Sequence, residues 1–312
     1  MMLEICNWPN KDDIFENFDY KIKILYIDSG CDIYHNELKD NVLINESASF
    51  VEGDESLKDY TGHGTQIVSA IVGKNNINGL YKKCEIVMYK ITDSQGITKF
   101  EWLYKALSQA IEENYKIINI SYSGISNSDK LIDEFQKLID KAVKSNIHIC
   151  CSNNNNQYSD NTFVIPASLE NVYSIGSLDY QNKISTFNKQ NKADYYAPGG
   201  DDIFKTNKME SFILLANSEL ADFNVGEEIG VDKRYTLNFG NSIACSYFSC
   251  CLALILAMID KNTHLQTSKK TVDKLYESYN NINAVLSTKE ILLNGTIWTL
   301  SISKPSLIYK RF

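Results

Sequence analysis

The sequence is short of proline and of histidine, with four of each in 312 residues. So little proline excludes a proline-rich linker. No low-complexity stretch or internal repeat divides the chain, which reads as a single domain over residues 1–312. Cationic runs are also missing, and the formal net charge is −8. That excludes non-specific nucleic-acid binding, which neutralises phosphates with a basic surface. The most hydrophobic stretch, Ile243–Ile259, is short for a bilayer and is broken by Ser246 and Ser249. It reads as a buried core helix, so no membrane partner is expected. The first residues, MMLEICNWPNKDDIFENFDY, have neither the basic nor the apolar region of a secretory signal. The eight cysteines include the adjacent pairs Cys150–Cys151 and Cys250–Cys251, and none has zinc-ligand spacing. They read as buried thiols of a reducing compartment, the cytoplasm, and neither metal nor cofactor is expected.

What is present alternates. Apolar, branched runs at Lys21–Ile27, Cys84–Ile91, Ile117–Ser121, Ile147–Cys151, Val172–Ser177 and Ala193–Ala197 predict strands. Helical spacing covers His63–Val72, Phe100–Tyr115 and Lys130–Lys144, and Ser242–Met258 is apolar on every face. Strands alternating with helices predict an α/β fold with a mainly parallel central sheet flanked by helices. In such sheets function gathers at the carboxyl ends of the strands. Residues Asp201–Leu237 carry little periodicity and read as a long surface insertion.

Three residues sit where chemistry needs them. A hydroxyl becomes a useful nucleophile when an imidazole takes its proton, and a buried carboxylate must orient that imidazole. Asp28 ends the apolar run ILYID; alone it also reads as a turn aspartate before Ser-Gly. His63 lies between Gly62 and Gly64 at a helix start, where the dipole disfavours the imidazolium. Ser242 follows Gly240 and Asn241 and opens the apolar helix, where the dipole favours developing negative charge. Alone it also reads as an ordinary N-cap serine. Their order, Asp then His then Ser, is the discriminating feature, and no GxSxG elbow is present.

From about Lys21 to Ala257 the chain resembles the subtilisin family of serine peptidases. The blocks that carry the likeness are YIDSGCDIYHNEL, GHGTQIVSAIVG and FGNSIACSYFS, with GLYKKCEIVMYKI, INISYSG, PASLENVYSIGSLD and YYAPGGD between them. The resemblance implies a subtilisin-like three-layer fold and an Asp28–His63–Ser242 triad. It implies Asn155 as the side-chain oxyanion donor, with Asn154 at a position where the family has glycine and left-handed backbone would suit asparagine. It implies a peptide substrate bound as an added strand between Ile97-Thr98-Lys99 and Ser121-Tyr122-Ser123. Tyr122 would then stand beside the S1 pocket, with Asn153 and Asn154 on its far wall.

Several departures bear on function. Asn241 replaces the threonine before the nucleophile, with an amide that could donate toward the oxyanion. Ser246 and Tyr247 replace the usual Pro-His. Lys74–Gly79 is shorter than the calcium loop typical of secreted relatives and has no carboxylate, so no tight calcium site is expected. With the Asp28 strand starting about twenty residues in, no prodomain is expected either. That combination resembles the small cytoplasmic leader peptidases of lanthipeptide (lantibiotic) biosynthesis, whose partner is the precursor's leader. The competing readings are a binding or signalling module on the same fold and a general cytoplasmic degradative peptidase.

Overall fold

The computed structural model describes residues 20–155, 163–188, 193–202, 211–222, 230–263 and 309–310. In chain order the first half holds β1 (Lys23–Asp28), β2 (Ala48–Ser49), α1 (His63–Val72), β3 (Glu85–Lys90), α2 (Phe100–Glu112), β4 (Ile117–Ile120), β5 (Gly124–Ile125) and α3 (Asp129–Lys144). The second half holds β6 (His148–Ser152), β7 (Val164–Ile165), β8 (Tyr173–Leu178), β9 (Tyr195–Pro198), β10 (Ile213–Ala216), β11 (Tyr235–Asn238), α4 (Asn241–Thr263) and β12 (Tyr309–Lys310).

The central sheet runs β12-β9-β8-β6-β4-β1-β3-β2, parallel except where β12 meets β9. Its inner strands carry apolar residues toward both faces because both faces are covered. Side chains alternate across a strand, so neighbours enter different cores. Ile24 and Tyr26 of β1 join Ile86 and Met88 of β3 in one core, with α1 and α4. Leu25 and Ile27 join Val87 and Tyr89 in the other, against α2 and α3. The apolar stripe of α2 (Trp102, Leu103, Ala106, Leu107, Ala110 and Ile111) is buried as a unit.

The chain leaves β1 for β3 on one side, then crosses back to β4 on the other. The crevice between the carboxyl ends of β1 and β4 is therefore the topological switch point. Asp28 ends one of these strands and Ser121 follows the other.

The α4 helix is enclosed from Ser242 to Ile255. Its serines find partners there: Ser246 Oγ lies 3.0 Å from Tyr26 Oη and 3.1 Å from Ile67 O, and Ser249 Oγ lies 2.9 Å from Asn119 Oδ1. Among the described residues no helix is long and apolar enough to cross a membrane. Seven cysteines, Cys31, Cys84, Cys150, Cys151, Cys245, Cys250 and Cys251, are buried and unbridged.

One expectation is corrected. The stretch Asp201–Leu237 is not simply a surface insertion, because β10 and β11 pair antiparallel within and just beyond it. Phe212, Ile213, Leu215, Ala216 and Tyr235 are buried, and Ala216 N donates to Ser69 Oγ of α1 at 2.9 Å. The strands are four residues each and separated by a long connection, too short to show a period of two.

The loop Lys74–Gly79 turns its first amide hydrogens inward. The N–H groups of Lys74, Asn75 and Asn76 donate to the fully buried carboxylate of Glu37 at 2.7–2.8 Å. Tyr235 adds its hydroxyl at 3.0 Å. Burial alone would raise the Glu37 pKa, but these four donors outweigh it and hold the carboxyl below its ordinary range. A depressed carboxyl contributes stability above the unfolded pKa and loses it as pH falls through the folded one. Glu37→Gln should therefore lower Tm at pH 7, with the gap to wild type closing below about pH 4. EDTA should leave the wild-type Tm unchanged. A fall of several degrees on chelation, restored by calcium, would show that a cation organises this loop instead.

Candidate active site

Asp28 is 4% exposed at the end of β1. Its Oδ1 accepts from Ser29 N at 2.7 Å and lies 2.7 Å from His63 Nδ1. Its Oδ2 is buried with no hydrogen-bond partner among the described residues. A buried carboxylate left half-satisfied is costly, and it gains most when positive charge forms on the neighbouring imidazole.

His63 is held at the start of α1 by a residue that sequence reasoning missed. Asp59 is fully buried. Its Oδ1 accepts from Ser29 Oγ at 2.8 Å and Gly62 N at 2.9 Å, and its Oδ2 from Thr65 N at 2.9 Å and Thr65 Oγ1 at 2.7 Å. Gly64 N donates to Ser29 Oγ at 2.9 Å. The otherwise orphaned first N–H groups of α1 thus close onto the loop that carries Asp28. A Cβ on Gly64 would run into Gly30 O, so only glycine lets helix and loop approach this closely. The available signal was an acid just ahead of a helix start, as in N-terminal capping.

Burial pulls the His63 pKa down, but the charge and hydrogen bond of Asp28, with the charge of Asp59 behind them, outweigh it. The imidazole titrates above the ordinary histidine range. About a third of its side chain reaches solvent.

Ser242 is 9% exposed at the start of α4. Its Oγ donates to Ser121 O at 3.2 Å, and among the described residues it makes no hydrogen bond to His63. A rotation about χ1 is the movement that would turn it to the imidazole, and such bonds commonly tighten only when substrate is bound.

Asn155 is exposed, unlike its buried neighbours Asn153 and Asn154. Its Oδ1 accepts from Asn241 N at 3.0 Å, which leaves Nδ2 as the end available to a ligand. Gly240, at φ 148°, keeps the space open, since a Cβ there would lie 3.0 Å from Asn155 Nδ2. Two expectations fail here. Asn154 does not take positive φ, as Asn114, Asn146, Asn171 and Asn182 do. The Asn241 amide does not point toward the oxyanion position either, because Nδ2 donates to Asn153 O and Asn154 O at 3.0 and 3.1 Å.

The expected substrate strands are less uniform. Ile97 is 51% exposed, Thr98 Oγ1 lies 2.7 Å from Thr92 Oγ1, and Lys99 Nζ sits 4.6 Å above the Trp102 ring. Ser121 is buried, Tyr122 and Ser123 are half-buried, and the Tyr122 ring packs edge-on to Phe100 at 6.4 Å. Asn153 N is tied to Ile175 O at 2.9 Å, and Asn154 N to Asn153 Oδ1 at 2.8 Å.

The model of the subtilase family matches residues 19–289. The chain belongs to the subtilase family. It is a subtilisin-like serine endopeptidase, a hydrolase. It is 27% identical over 224 residues to an intracellular serine protease of Paenibacillus polymyxa, covering 68% of this chain and 67% of that one. It is 25% identical to the major intracellular serine protease of Bacillus subtilis, covering 69% of each. Among solved structures, a lanthipeptide protease matches with a TM-score of 0.74 at 24% identity, over 89% of this chain and 86% of that one. The nisin leader peptidase NisP of Lactococcus lactis matches with a TM-score of 0.71 at 20% identity, over 97% of this chain and 98% of that one. These structural likenesses establish the subtilisin-like fold.

Removing the charge beside His63 should show in the pH profile. A base must be neutral to act, so with His63 as the base its raised pKa sets the acid limb of kcat/KM above that of an ordinary histidine. Asp28→Asn leaves burial unopposed by that charge, and the limb should move to lower pH. Activity should fall by about 10⁴-fold, the size found for the equivalent change in a chymotrypsin-type triad. An unmoved acid limb would mean that another group sets it.

Proposed function

We propose that this enzyme removes the leader from a ribosomally made, modified peptide precursor of the lanthipeptide class, using Asp28, His63 and Ser242 as its triad. The observation that carries the catalytic part is the 2.7 Å contact between Asp28 and His63 Nδ1; Ser242 opens α4, whose apolar side chains pack in the same core as α1. His63 Nε2 takes the proton of Ser242 Oγ as the hydroxyl attacks the scissile carbonyl, and Asp28 stabilises the imidazolium. The tetrahedral oxyanion receives Ser242 N–H and Asn155 Nδ2. His63 then gives its proton to the leaving amine, and water, activated by the same imidazole, releases the acyl group from Ser242.

Ile97-Thr98-Lys99 and Ser121-Tyr122-Ser123 flank the substrate strand in this reading. The buried Asn153 and Asn154 give the S1 wall a polar character that favours a polar residue before the cut. The leader assignment is supported by the fold likeness to the lanthipeptide protease and to NisP over most of the chain. A cytoplasmic site of action is supported by the unbridged thiols and by the relatives named as intracellular. Those same relatives favour a second reading, a general intracellular degradative peptidase.

A fluorophosphonate probe should label wild type and not Ser242→Ala; equal labelling of both would remove Ser242 from the mechanism. Against a modified precursor, one cut at the leader junction is expected, whereas digestion of unfolded casein at many sites would favour the degradative reading. Asn155→Ala should lower kcat by about 10²–10³ with little change in KM, a magnitude carried over from subtilisin itself. A larger loss from Asn154→Ala would move the oxyanion role to that residue.

A further inference from the structure

Asn241 does more than precede the nucleophile. It is fully buried, and so is Asn188. The two side-chain amides pair reciprocally: Asn188 Nδ2 donates to Asn241 Oδ1 at 2.6 Å, and Asn241 Nδ2 to Asn188 Oδ1 at 2.9 Å. Asn241 Nδ2 also donates to the carbonyls of Asn153 and Asn154, the residues leading to Asn155. Its backbone N–H meets Asn155 Oδ1 at 3.0 Å. Asn188 is anchored in turn by its own N–H to Ser185 O at 2.9 Å.

One residue therefore joins three segments: the end of β6, the 186–188 turn and the first turn of α4. The joint has a chemical sense. An asparagine amide has a donor end and an acceptor end of the same shape, and turned around it would present Oδ1 to a developing oxyanion. The Asn241 N–H can bond only to Oδ1, so it selects the orientation in which Nδ2 faces the site. The Asn241 side chain sets how far that N–H stands from the 153–155 backbone.

We propose that Asn241, braced by Asn188, is a positioning residue that holds Asn155 Nδ2 and Ser242 N–H as one rigid oxyanion-binding unit. The inference rests on the reading of Asn155 and Ser242 given above. Oxyanion donors act through preorganisation, so a loosened clasp lowers kcat more than substrate affinity.

The test is a double-mutant cycle on kcat and KM, run on the full chain with a peptide spanning the cut, with Tm as a check of folding. Asn241→Ala should lower kcat by about tenfold or more with KM within about twofold, because the unit serves the transition state. In an Asn155→Ala background the same change should cost less than about threefold, since the donor through which it acts is already gone. Asn241→Asp keeps the shape but faces two carbonyls with an acceptor, so it should behave like Asn241→Ala. Asn188→Ala reaches the clasp from behind and should show the same non-additivity, which keeps the cycle available if Asn241→Ala does not fold. Equal losses in both backgrounds, or full kcat in Asn241→Asp, would overturn the proposal. If Asn155→Ala itself leaves kcat intact, the oxyanion reading fails and the positioning role falls with it.

Discussion

A helix with no polar face has to be surrounded, and that requirement on α4 organises the molecule. Its apolar side chains pack against the sheet on one side and α1 on the other. Each large one that leaves water contributes about 1.5–3 kcal/mol, so sliding α4 by even one residue would forfeit several such terms. Its N-terminus is thereby fixed at the carboxyl edge of the sheet, beside the crevice between β1 and β4. The proposed nucleophile inherits its position from the core, and the loops around it need only be brought to that point.

The buried charges of the described residues are stabilised in different ways. Asp59 is wrapped by donors from its own loop and from α1, and Glu37 by three loop amides and a tyrosine. Lys90, fully buried at the end of β3 beside Asp28, reaches Asp54 at 2.5 Å and lies over the Tyr60 ring. Among the described residues Asp28 is the only carboxylate with a buried oxygen lacking a partner. The difference separates scaffold from site: saturated carboxylates hold loops in place, and the unsaturated one faces the imidazole.

What sequence could show follows the same division. Buried parallel strands announce themselves as continuous apolar runs, and Asp28 and His63 each sat at the end of a predicted element, so the sheet and the Asp28–His63 pair were legible. Asp59 and Glu37 were not, because an anchoring carboxylate looks like any surface acid until its donors arrive from elsewhere in the chain. The roles of Asn241 and Asn188 were hidden for a related reason. They lie 53 positions apart, and an amide's partners depend on which backbone atoms the fold brings within reach. Strands β10 and β11 escaped notice because four residues are too few to display a period.

The buried thiols have a consequence beyond packing. Burial pushes the Cys84, Cys151, Cys245 and Cys250 thiols well up and Cys251 to about 12, and at Cys31 the charges of Asp59, Asp32 and Asp28 add to the same effect. Thiolate is the reactive form, so these sulfurs are chemically silent while the chain is folded. They are spread over the loop after β1, the approach to β3, the strand β6 and the helix α4. Alkylation of any one of them clocks the opening of its own layer, which makes the native protein a ready-made recorder of its own local unfolding.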